Sequence, residues 1–241
     1  MVKSRSKISI NTAANQLRRM IRAADDGDLL GSEDEITTLL QVSRPTLRQV
    51  ARLLEREGLL RVKRGVNGGY FASRPDVKVI EASVSAYLQM IDADGAEIND
   101  VASALWVLVV RKAAGLPRAT IRSLAERMRA HVDEVPEQAR LLDIVRAEEK
   151  NRGEIFRVVN SPYIELIFQI NTTFASDHFP HDPQAMDQSP AHEEFVDAWR
   201  RAKLLEIEAI ANGDQVLAEL AARHYRQLFY QRLWLLRRAG D

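Results

Sequence analysis

The chain has 241 residues, of which 46% are hydrophobic and 28% charged, enough apolar content to build a sizeable core. It contains no cysteine, which excludes disulfides, thiolate metal sites and cysteine nucleophiles. Formal net charge is zero, yet residues 1–76 hold 14 Lys+Arg against 9 Asp+Glu, so a basic front half is joined to an acidic remainder.

The N-terminal "MVKSRSKISINTAANQL" lacks an apolar core of the signal-peptide type, and no apolar run approaches the ~18 residues needed to span a bilayer. A cytoplasmic location is the expectation. The first amphipathic helix is expected over about residues 11–25, with Ala14, Leu17, Ile21 and Ala24 on one stripe. A second fits "SEDEITTLL", where Ser32 and Glu35 have capping-box spacing and Ile36, Leu39 and Leu40 are expected to face inward. After a turn at Gln41, Val42 and Ser43, a third helix starts at Arg44 with Ser43 as its cap, and Gly58 stops it. Leu47, Val50, Ala51 and Leu54 form its buried stripe, whereas Arg44, Arg48 and Arg52 recur at four-residue steps on another face. "LLRVKR", the Asn-Gly turn of "GVNGG" and "YFA" then read as a β-hairpin, closed by Pro75.

From about residue 78 nearly everything reads as helix: about 78–92, 97–114, 117–131, 136–159, 161–175, 191–212 and 214–237. The exception is residues 176–190, "SDHFPHDPQAMDQSP", a proline-rich polar loop. The expected fold is mainly α: an N-terminal winged helix-turn-helix with a small β-hairpin over 1–76, and a C-terminal all-α antiparallel bundle over 77–241.

Three short helices and a basic hairpin make a unit whose third helix fits a B-DNA major groove, so duplex DNA is the expected partner. Arg44, Thr46, Arg48 and Gln49 lie near the end that would point at base edges, with Arg52 further along. Arginine suits the task because its planar fork bonds guanine O6 and N7 together, or clamps a phosphate. Lys63, Arg64, Gly65, Asn67 and Gly68 would form a thin wing that approaches the backbone.

Over some 40 residues, "SEDEITTLLQVSRPTLRQVARLLEREGLLRVKRGVNGGYF" resembles the GntR-family DNA-binding domain. The all-helical remainder is similar to the FadR-like subfamily with an FCD ligand-sensing domain. The resemblance implies a homodimeric transcription regulator, a repressor released from its operator by a small effector. It places DNA-contacting roles on Arg44, Thr46 and Arg48, and the wing glycine on Gly65 or Gly68. One departure stands out: the family commonly has arginine after "SE", where this chain has Asp34. A carboxylate there is repelled by phosphate, so operator and local geometry are expected to differ from the family norm.

The resemblance also implies a divalent metal held by Asp, by His four residues later and by two further His. Those positions fall on Glu148, Arg152, Lys203 and either Tyr225 or His224, and arginine has no lone pair for a metal, so neither metal nor cofactor is expected. Charges nevertheless sit in apolar stripes: Leu141, Val145, Glu148, Arg152 and Val159; Val196, Trp199, Lys203, Ile207 and Ile210; Leu217, Leu220, His224 and Leu228. Two readings stay open. Either Arg152 and Lys203, with His224 nearby, hold the carboxylate or phosphate of an organic effector, or Glu148 and Arg152 form an internal ion pair. Trp106, Val107 and Leu108 in "ASALWVLVV" favour an apolar effector, an organic acid or acyl thioester. Rival classes are a metal-dependent enzyme using His178, His181, Asp182 and His192, and a non-specific architectural DNA binder.

Overall fold

In the computed structural model, residues 9–65, 68–178 and 189–240 are described, the side chains of 176–178 and 233–240 excepted. The chain forms two compact units, residues 1–80 and 81–241.

In the first unit α1 (Ile10–Ala23), β1 (Leu29–Gly31), α2 (Glu33–Leu40), α3 (Arg44–Arg56), β2 (Leu60–Lys63) and β3 (Gly69–Ala72) follow in order. Ser32 Oγ accepts from the Glu35 amide and Glu35 returns a carboxylate to the Ser32 amide, so α2 starts with a complete capping box. Ser43 caps α3 in the same way, accepting from the Thr46 amide. Leu47, Val50, Ala51 and Leu54 turn inward against Ala14, Leu17 and Ile21 of α1 and Ile36 and Leu40 of α2. Leu39 does not: it is 63% exposed, because Ile36 and Leu40, one turn apart, already define the inward face of this short helix.

The hairpin is part of a three-stranded antiparallel sheet in the order β1-β3-β2. β1 is not signalled by the sequence, since three residues carry no periodicity. β2 pairs Leu60 with Ala72 and Lys63 with Gly69. A Cβ on Gly69 would meet Leu29 Cδ1 at 2.7 Å and the Gly31 carbonyl at 2.9 Å, so glycine is what lets β1 close on β3. Arg74 Nη1 and Nη2 donate to the Ile21 and Ala24 carbonyls, satisfying the C-terminus of α1.

α4 (Val77–Met90) spans the boundary between the units. The second unit then contains α5 (Gly95–Ala114), α6 (Arg118–Asp133), α7 (Leu141–Val159), α8 (Pro162–His178), α9 (Pro190–Asn212) and α10 (Gln215–Gly240). α9 packs on α6, α10 and α5, and α5 also packs on α7, α8 and α10, so α5 and α9 are the central members. The described residues thus comprise ten helices and three strands, a mainly α fold.

Three sequence expectations change here. α7 begins at Leu141 rather than 136, because side chains from elsewhere take the carbonyls that a helix would use. Arg200 donates to the Val132, Val135 and Pro136 carbonyls, and His192 Nε2 lies 2.8 Å from the Ala139 carbonyl. α8 runs on to His178, past the expected end at 175, and residues 179–188 of the expected loop lie outside the described residues. In α10 the buried stripe is Ala218, Ala221, Ala222 and Tyr225, whereas Leu220 and His224 are exposed.

Candidate nucleic-acid interface and buried cavity

The N-terminus of α2, the outer face of α3 and the wing enclose a groove lined by Glu33, Asp34, Arg44, Arg48, Arg52, Lys63, Arg64, Gly65 and Gly68. Arg44, Arg48, Gln49 and Arg52 are all exposed on α3. The wing is held toward them by Glu55, whose Oε1 accepts from the Val62 amide at 3.0 Å. Lys63 Nζ sits 4.6 Å from the Phe71 ring centroid, and Gly65 adopts φ +106°, a turn conformation that disfavours any side chain. Asn67 lies outside the described residues. Thr46 is half-buried, and its hydroxyl is 2.8 Å from that of Ser43, so it also secures the start of α3.

The arginines are not bare cations. Arg44 Nη2 approaches Asp34 Oδ1 at 2.6 Å, and Arg48 Nε approaches Glu33 Oε1 at 2.7 Å. The hydrogen bond from Arg48 holds the Glu33 carboxyl below its ordinary range, and Glu33 in turn raises Arg48. Asp34, where the family commonly has arginine, pairs with Arg44. The Glu33–Arg48 pair has no local sequence signal, because its partners are 15 positions apart and on different helices.

In the helical unit a cavity of about 390 Å³ opens between α5, α7, α8 and α10. Trp106, Phe168, Phe174, Tyr225 and Phe229 supply its aromatic walls, and Glu148, Glu149, Arg152, Asn171 and Arg226 its polar groups. Val107 and Leu108 do not line it. The guanidinium carbons of Arg152 and Arg226 lie 5.8 and 5.9 Å from the Phe168 ring centroid. Arg226 is anchored by donating to Ser103 Oγ and Asn99 Oδ1, and burial pushes its pKa below the ordinary arginine value. Arg152 has no hydrogen-bond acceptor among the described residues, and the Asn171 amide nitrogen, on a side chain 8% exposed, has no partner.

Lys203 does not reach this cavity. It is fully buried, with Nζ 2.9 Å from Glu148 Oε2, 2.8 Å from Glu206 Oε1 and 3.6 Å from the Tyr225 ring centroid. Trp199 Nε1 donates to Glu148 Oε1 at 2.7 Å and Trp106 Nε1 to Glu206 Oε2 at 2.9 Å. Burial alone would push the ammonium down, but the two carboxylates outweigh it and hold Lys203 above its ordinary value. Burial raises Glu206. Of the two readings left open, the Glu148–Arg152 pair does not form: Lys203 reaches Glu148 from α9 and makes a Lys203–Glu148–Glu206 cluster instead. His224 is exposed, and its neighbour Tyr225 faces the cavity in its place.

Such a donor set does not fit a divalent metal: one carboxylate is already bonded to an ammonium and an indole, and the other positions offer a guanidinium, an ammonium and a phenol. Among the described residues no three His, Cys, Asp or Glu side chains gather into a metal-binding group. His181 and Asp182 lie outside the described residues, as does the side chain of His178. His192 is 3% exposed, with Nδ1 3.1 Å from Arg232 Nη2 and Nε2 turned to the Ala139 carbonyl, so both nitrogens serve the core. No helix among the described residues is long and apolar enough to cross a membrane.

Comparison with curated proteins finds no match. Among solved structures, a GntR protein from Streptococcus agalactiae is similar over 93% of this chain and 100% of its own, at 16% identity and a TM-score of 0.57, which establishes a shared fold. McbR/YncC of E. coli aligns over 95% of this chain and 98% of its own, at 15% identity and a TM-score of 0.40. A GntR-family transcriptional regulator from Pseudomonas syringae pv. tomato str. DC3000 aligns over 98% and 92%, at 14% identity and 0.40. Residues 10–67 match the family of bacterial regulatory proteins designated gntR, a span that runs from α1 through β2 and holds the groove arginines Arg44, Arg48 and Arg52. Residues 10–67 therefore form a domain of the gntR family of bacterial regulatory proteins.

Proposed function

We propose that the chain is a ligand-responsive repressor in which residues 1–76 bind an operator and residues 77–241 sense an effector and join two copies. Arg44, Thr46, Arg48, Gln49 and Arg52 enter the major groove, while Lys63, Arg64, Gly65, Asn67 and Gly68 contact the adjacent backbone. A dimer sets two such heads about one helical turn apart. Effector binding alters their presentation by a coupling of about 1–3 kcal/mol, and the repressor leaves the DNA.

One observation carries the sensing part: the Arg152 guanidinium, which has no hydrogen-bond acceptor among the described residues, lines an aromatic-walled cavity beside Phe168. A guanidinium over apolar walls suits an organic anion with an apolar body. A volume of about 390 Å³ favours a small acid over a coenzyme A thioester. Trp106 contributes wall and Glu148 rim; Lys203 and His224 take no part.

A thermal-shift screen with benzoate, phenylacetate and short aliphatic carboxylates tests this reading, followed by fluorescence-anisotropy titration of DNA with each hit. A stabilising acid that also weakens DNA binding, with both effects lost in Arg152→Met, is the expected result. An acid response that persists undiminished in Arg152→Met would remove Arg152 from the site.

A further inference from the structure

The two arginine pairs of the groove share one geometry, and it bears on what the arginines read. A guanidinium presents two parallel donor pairs, one along its Nε/Nη2 edge and one at its Nη1/Nη2 end. Arg48 commits the edge to Glu33, with Nε 2.7 Å from Oε1 and Nη2 3.1 Å from Oε2. Arg44 commits the same edge to Asp34, with Nε 3.1 Å and Nη2 2.6 Å from one Oδ1. In neither residue does Nη1 bond to a protein acceptor among the described residues, and the side chains remain 61% and 62% exposed. Both guanidiniums are held from the side with their ends open to the groove.

Such a hold affects the two kinds of DNA contact differently. Attraction to phosphate depends on net charge, and each carboxylate cancels the cation it grips. End-on bonding to guanine O6 and N7 depends on direction and on the fork being fixed, and the carboxylate leaves those donors free while immobilising them. We propose that Glu33 and Asp34 are specificity-determining residues: they hold Arg48 and Arg44 side-on so that the free ends read guanine, and they restrain binding to the backbone of unrelated duplex. The inference rests on the reading of α3 as the groove-entering helix.

The test uses the full chain and a duplex pool with a randomised core, from which the unaltered protein selects its preferred sequence. Affinity for that duplex and for a scrambled duplex of equal composition is then measured across a range of salt for wild type and for the double variant E33Q/D34N. The double variant is expected to bind the scrambled duplex about ten-fold more tightly, with a log–log salt slope steeper by about one to two. Its preference for the selected duplex is expected to fall at least about ten-fold, with guanine enrichment lost on reselection. An unchanged or larger preference, or the same guanine enrichment, overturns the proposal. If that variant fails to fold, Arg48→Lys keeps the charge and removes the fork: it should retain scrambled-duplex binding and lose the selected duplex, and equal retention of both overturns the proposal. A double variant R44A/R48A that binds both duplexes as wild type does would instead sink the underlying reading of α3. Dependence on the arginines without dependence on the carboxylates would sink this inference alone.

Discussion

Replacing Lys203 by methionine keeps most of the apolar stem and deletes the ammonium that Glu148 and Glu206 share. Glu206 is then left fully buried with the Trp106 indole, while Glu148, on the cavity wall, keeps the Trp199 indole and the Tyr225 hydroxyl. Removing one member of a buried ion group costs about 3–5 kcal/mol. Protonation of one carboxyl caps the loss. Against an ordinary value of 4.5, keeping a carboxyl protonated at pH 7 costs about 3.4 kcal/mol relative to the unfolded chain, and at pH 5 about 0.7 kcal/mol. The carboxyl of the folded variant has a raised pKa, so the variant regains stability as pH falls. Lys203→Met is therefore expected to lose about 3–4 kcal/mol at pH 7 and about 1 kcal/mol at pH 5. Urea titration followed by tryptophan fluorescence measures it in the right place, since all three tryptophans lie in the helical unit. A loss under about 1 kcal/mol at pH 7, or one equally large at both pH values, would refute the reasoning.

Four further substitutions have expected outcomes. Arg48→Ala should weaken binding to a selected duplex by about 1–3 kcal/mol, whereas Lys63→Ala should chiefly flatten the salt dependence, both read by anisotropy titration. Ser32→Ala removes the cap of α2 and should lower the stability of the DNA-binding unit by about 1 kcal/mol, seen in thermal melts by circular dichroism. Arg200→Met releases the Val132, Val135 and Pro136 carbonyls; a loss of about 1–3 kcal/mol in urea titration is expected, and hydrogen exchange should rise around residues 132–140.

Features set by near neighbours along the chain are legible in the amino-acid sequence alone. The capping box at Ser32 and Glu35, the cap at Ser43, the inward stripe Leu47, Val50, Ala51 and Leu54, and the paired strands of the wing all follow from spacings of two to four residues. What stays hidden depends on partners far along the chain. Glu206 lies three residues from Lys203, off the apolar stripe through Trp199 and Ile207, and nothing local says that it turns to Trp106 a hundred positions away. The irregular stretch before Leu141 arises from Arg200 and His192, donors on another helix. In α10 the buried face is built largely of alanines, so the bulkier Leu220 suggests a stripe one position off; the spacing Ala218, Ala222, Tyr225, Phe229 carries the correct signal.

The ammonium of Lys203 on α9 touches Glu148 on α7 and the ring of Tyr225 on α10, and through Glu206 it reaches Trp106 on α5. Apolar side chains tolerate a neighbour that slides along its axis, since one leucine contact replaces another. A charge does not. Moving α9 by one turn, about 5.4 Å, would strand Lys203 among hydrocarbon and leave Glu148 without its cation. Four helices that could otherwise interlock in several staggers are thus confined to one, and the single arrangement of the bundle is fixed less by how much it buries than by where it buries a charge.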